Sequence, residues 1–166
     1  NSGFGLLIAG ALVGALGLFT WQRQDWVFKQ EHAREQVLLD RRLDLVEAIN
    51  RDAGAFLADA SGLVASVAKE MSAGQRGEIV AAYNEEQGRW FASVSARTAL
   101  LSFYFSPALA DRFATDVAGG TEALDVALWR LSTGRIEWDE AGAAVDRVRT
   151  SLSAWNAAAL ADPERR

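Results

Sequence analysis

The sequence predicts an all-α fold: a single N-terminal transmembrane helix that continues into a long helix of an antiparallel four-helix bundle. Three observations lead there. An uncharged apolar run opens the chain, and only two prolines, Pro107 and Pro163, interrupt 166 residues. In four later stretches apolar residues return every three or four positions, the period of a helix with one buried stripe.

Eighteen residues from Gly3 to Thr20 carry no charge, close to the ~20 apolar residues that cross a hydrocarbon layer of ~30 Å. A cleaved signal peptide is the competing explanation. It is disfavoured because Trp21 and Gln22 follow the run where a cleavage site needs small residues. Trp21 and Trp26 suit the headgroup layer, and Arg23 and Lys29 can reach lipid phosphates, so these four are read as the membrane interface. Gly3, Gly10, Gly14 and Gly17 fall within an arc of ~60° at 100° per residue, and Gly10 to Gly14 is a GxxxG spacing. That nearly flat face admits another transmembrane helix, in a homo-oligomer or among other membrane-protein subunits. Arg23, Lys29, Arg34, Arg41 and Arg42 follow the run, so the positive-inside rule places the rest of the chain in the cytoplasm.

The expected organisation is a transmembrane helix over 1–21, a helical stalk over 22–36, a bundle over 37–161 and a polar tail over 162–166. The stalk is dominated by Gln, Arg, Asp, Glu and Lys, and at 1.5 Å per residue it would span ~20 Å. The first helix is expected to run to about Met71, with a stripe of Leu39, Leu43, Val46, Ile49, Ala53, Phe56, Ala60, Leu63, Val67 and Met71. Ser72 and Gln75 have capping-box spacing and open a second helix. Its stripe is Ile79, Tyr83, Trp90, Val94, Arg97, Leu101 and Phe105, and it ends at Ser106-Pro107, where Ser can cap and Pro can sit at N1. The third helix is expected in two pieces. Leu109, Phe113 and Val117 mark the first, Gly119-Gly120 interrupts, and Thr121 caps a second that carries Leu124, Leu128 and Leu131 up to Gly134. Trp138, Ala141, Val145, Val148, Leu152 and Trp155 form the last stripe, before Pro163.

Composition excludes several functions. Lys plus Arg is 17 against 22 for Asp plus Glu, a net charge of −5, and no basic patch suits nucleic acid. Cysteine is absent, which removes disulfides and thiolate-bound metal. The Glu-x-x-His pairs of di-iron bundles are missing, and the single histidine, His32, stands before Glu35 in reversed order with no second copy. A solvated His32 is expected, with no metal, haem or other cofactor. One histidine beside the membrane supports no Ser-His-Asp arrangement, and there is no phosphate-cradling glycine loop. Glu137, Asp139 and Glu140 sit where a first helical turn favours acids, and Glu85 with Glu86 reads as a solvated pair. No enzymatic role is therefore expected.

Phe103, Tyr104 and Phe105 are consecutive and cannot all face one core, which makes them a candidate docking surface. Trp90, Trp129, Trp138 and Trp155 are expected in the core, with an aromatic hot spot facing a partner protein as the alternative. Missing chemistry and available surfaces together suggest a structural or accessory subunit, a scaffold, of a bacterial inner-membrane complex such as a respiratory or photosynthetic assembly. Its partners would be the lipid bilayer and neighbouring subunits. The alternative is a single-pass sensory bundle, since the layout is similar to chemoreceptor ligand-binding modules. Those return to the membrane through a second span, and this sequence has none after Trp21.

Overall fold

The computed structural model describes residues 2–162, with side chains at 26 and 28–162. It is all-helical, and no strand occurs among the described residues. Helix α1 spans Ser2–Ala68, α2 Ala73–Tyr104, α3 Pro107–Arg112, α4 Gly119–Ser132 and α5 Trp138–Ala161. A π-helical turn, Phe113–Ala118, joins α3 to α4 without a break. Two compact units divide the chain, Asn1–Asp40 and Arg41–Arg166.

Every described side chain of the first unit is exposed, including Trp26, Phe28, Val37, Leu38 and Leu39. Among the described residues, no helix is long and apolar enough to cross a membrane. The transmembrane reading of 1–21, with Gly3, Gly10, Gly14, Gly17, Trp21 and Arg23, falls outside the described side chains.

The second unit holds the core. Val46, Ile49, Ala53, Phe56, Ala60 and Leu63 are buried as the stripe predicts, and Leu45, Leu57 and Val64 widen it. Leu39 and Leu43 depart from expectation, because both are exposed. An aromatic seam then crosses the helices. Phe56 stacks on Trp90 at 6.3 Å, Trp90 meets Phe113 edge-on at 6.4 Å, and Phe113 meets Trp155 at 5.2 Å. Each indole N–H finds an acceptor, as burial demands: Trp90 donates to Thr121 Oγ1 at 2.9 Å, and Trp155 to the Leu109 carbonyl at 3.1 Å. Trp129 and Trp138, expected inside, are 52% and 51% exposed.

Helix ends follow local chemistry. Ser72 Oγ accepts from the Gln75 amide while Gln75 Oε1 accepts from the Ser72 amide, the capping box that the spacing predicts. Pro107 opens α3, but the Ser106 side chain makes no cap. Instead, the Ser106 amide donates to Asp162 Oδ2 at 3.1 Å. Arg42 reaches the same carboxylate at 3.2 Å and lies 4.5 Å from the centre of the Phe105 ring. Asp162, assigned to the polar tail by sequence, is thereby held in place.

Two helices close on a left-handed residue. Gly134 (φ 66°) lets its own amide reach Leu131 and that of Arg135 reach Arg130. Glu70 (φ 50°) does the same work, with amides of Glu70 and Met71 bonding Val67 and Ser66. A side chain there is strained relative to glycine.

The expected break at Gly119-Gly120 does not occur. Gly119 is helical (φ −61°, ψ −34°) and its amide bonds Ala114, five residues back. Leu109, Phe113, Val117 and Thr121 recur in steps of four, all buried. Three such steps rotate a stripe by ~120° on an ideal α-helix. The wider π turn takes up one extra residue and restores them to the core side. Thr121 is consequently not a cap: its hydroxyl donates to the Ala118 carbonyl at 2.7 Å and accepts from Trp90.

Candidate functional site

Helices α2 and α4 each place a row of mixed polar and apolar residues beside the core. On α2, Val80, Tyr83, Asn84 and Gln87 occur at i, i+3, i+4 and i+7, which is one helical face; on α4, Asp125, Leu128, Trp129 and Ser132 repeat that spacing. Between the rows, with Leu63 of α1 and Val126 at its margin, lies a cavity of about 310 Å³.

Asp125 organises this wall. Tyr83 Oη donates to Asp125 Oδ1 at 2.8 Å, and Gln87 Nε2 donates to the same oxygen. No other hydrogen bond of this carboxylate occurs among the described residues, so Oδ2 keeps its acceptor capacity. Burial pushes the Tyr83 phenol well above its ordinary value, and its bond to the Asp125 carboxylate and that negative charge push it further the same way. Tyr83 therefore stays protonated and serves as a fixed donor. The arrangement can orient a carboxylate toward a ligand of opposite charge.

A second polar cluster ties α1 to α2. Arg97, at an apolar-stripe position by sequence, pairs with Asp52 and lies 5.6 Å from the Trp90 ring centre. Arg51 pairs with Asp52 as well, at 3.1 Å. Burial alone would raise the Asp52 carboxyl, but the Arg97 and Arg51 guanidiniums outweigh it, and the net displacement is downward.

Among the described side chains, the residues singled out by sequence are not brought together. Trp26 and Lys29 are exposed. His32 is exposed too, with Nδ1 at 3.4 Å from Glu35 and its ring edge-on to Phe28 at 4.2 Å. Glu85 and Glu86 both pair with Arg89 on the solvent side. Glu137, Asp139 and Glu140 are exposed at the start of α5. No group of acids or imidazole that could hold a metal occurs among the described residues. The three consecutive aromatics separate: Phe103 is 66% exposed, Tyr104 is half-buried and edge-on to it at 4.9 Å, and Phe105 is buried beneath Arg42. Phe105 thus leaves the candidate docking surface, while Leu100, three residues before Phe103, is exposed.

Sequence reasoning placed Tyr83 in a stripe and passed over Asp125 and Gln87. The signal was present in part, since Asp125 flanks the Leu124, Leu128 and Leu131 stripe one position along. Which carboxylate meets which phenol depends on packing between helices, and no local spacing encodes that. No family model matches this chain, and no curated protein and no solved structure matches it either.

Proposed function

We propose that the chain is a non-catalytic structural or accessory subunit of a larger bacterial inner-membrane complex, such as a respiratory or photosynthetic assembly. In this reading residues 1–21 form a single transmembrane helix, and α1 continues from it into an antiparallel four-helix bundle on the cytoplasmic side. The connections around residues 69–72, 105–106 and 133–137 are short, which favours antiparallel neighbours.

The observation that carries the proposal is the uncharged run Gly3–Thr20 followed by a helical stretch whose apolar side chains Trp26, Phe28, Val37, Leu38 and Leu39 are all exposed. Water disfavours such side chains, and exposed apolar residues set among the charges of this stretch suit contact with neighbouring subunits. Lipid would cover the run, and neighbouring subunits the remainder. The glycine face of Gly3, Gly10, Gly14 and Gly17 would give close contact in the bilayer, and Leu100 with Phe103 a second contact on the bundle.

The test is gentle solubilisation of native membranes, with photo-crosslinkers at Val37 and Phe103. The reading expects membrane sedimentation, solubility only in detergent, and discrete crosslinks to membrane subunits from Val37. A chain that stays in solution without detergent, or that migrates only as a free monomer with no crosslinks, would overturn it.

A further inference from the structure

We propose that the cavity beside Asp125 binds a small organic cation: a primary ammonium group carried on a compact apolar body. A scaffold and a sensor can both carry such a site, so the inference stands apart from the membrane reading.

Asp125 is the single charged residue among those lining the cavity. Its Oδ1 is saturated by Tyr83 and Gln87, which fixes the carboxylate plane, while Oδ2 accepts nothing among the described residues. A carboxylate held this way on an apolar wall is best satisfied by a donor that is itself charged. Leu63, Val80, Val126, Leu128 and the Trp129 indole supply the apolar surface for the rest of the ligand. The volume, about 310 Å³, lies at the lower end of small-molecule sites.

The nearby positive charge narrows the class further. Arg135 lies over the Trp129 ring, 4.6 Å from its centre. One face of the indole is thus already occupied by a cation. The ligand's charge is met by Asp125 through an N–H bond to Oδ2. This selects ammonium groups that carry hydrogens over quaternary ones, and it rejects anions. Asn84 and Ser132 at the wall can accept or donate to a further polar group of the ligand.

The experiment titrates the full chain in detergent with 2-phenylethylammonium, followed by Trp fluorescence and saturation-transfer NMR. Its matched partners are 2-phenylethanol, 3-phenylpropionate and tetramethylammonium. Saturable binding of the amine is expected, about tenfold or more tighter than any of the three. Asp125→Asn should reduce the amine to the level of the alcohol. Val126→Trp closes the mouth from a half-exposed position, so it should abolish binding while the helical melting transition is kept. Equal affinity for amine and alcohol would overturn the proposal, and so would amine binding that survives either substitution. The Val126 variant decides the matter even if the Asp125 variant fails to fold.

Discussion

Val37 and Leu39 stand 58% and 53% exposed, whereas Ile49, Ala53 and Phe56, further along the same helix, are sealed from solvent. The side chains named are alike and both stretches are helical, but the residues leading up to Val37 are mostly Gln and charged, whereas Phe56 stands in a continuous apolar stripe. Phe56 has Tyr83, Trp90 and Phe91 within 5.7 to 6.3 Å between ring centres. For 28–40, by contrast, no described side chain is buried. A stripe in a sequence states a preference for cover. It does not say whether the cover comes from the same chain.

Substitutions can break that comparison. Phe56→Ala should lower the free energy of unfolding by ~3–5 kcal/mol, since a large ring leaves a cavity in the seam. Val37→Ala in the isolated, detergent-solubilised chain should stay within ~0.5 kcal/mol. Denaturant titrations of both variants measure this directly, and equal losses would remove the distinction between the two stretches.

The polar interior of the second unit should respond next most strongly. Thr121→Val strands the Trp90 indole N–H, at a cost of ~1–3 kcal/mol. Thr98 bonds only its own helix, at Val94, so Thr98→Val is the matched control with a smaller effect. A null result for Thr121→Val would mean that the buried Trp90 N–H does not depend on this acceptor.

Smaller effects belong to the two left-handed closures. Gly134→Ala should cost ~1 kcal/mol, because a Cβ is placed where φ is positive. Glu70→Gly should gain ~0.5–1 kcal/mol for the converse reason. Thermal melts of the pair should therefore shift in opposite directions.

The smallest effect is a pH dependence. The Asp52 carboxyl lies below its ordinary value of 3.8 in the folded chain. Such a group adds stability that is present above the unfolded value and is lost as pH falls through the folded one. The stability difference between the native chain and Asp52→Asn should thus shrink as pH is lowered from about 6 to about 2. A difference that grows on acidification would reverse the assigned direction.

Much of the fold was legible because it rests on local rules. Scarce proline, repeated apolar spacing, the Ser72 and Gln75 pair, Pro107 and Gly134 mark the helices and their ends. The π turn was written in the steps of four from Leu109 to Thr121, but the glycine pair that follows was the more obvious punctuation and pointed to a break. Trp129 and Trp138 misled for a different reason. A large aromatic at stripe spacing resembles core, yet its burial depends on what stands opposite. The Asp125 wall was the least legible part, since its three polar residues come from two helices whose pairing the sequence does not state.

The central claim is that the apolar surface of the first unit is covered by a membrane partner. The chain has no cysteine, so a single Val37→Cys gives an unambiguous reporter, with Glu137→Cys as the exposed control. Labelling by a membrane-impermeant maleimide is compared between opened native membranes and purified protein in detergent. The account predicts that Val37→Cys is protected in the membranes and reactive once purified, while Glu137→Cys reacts in both. Equally fast labelling of Val37→Cys in the two preparations would contradict it.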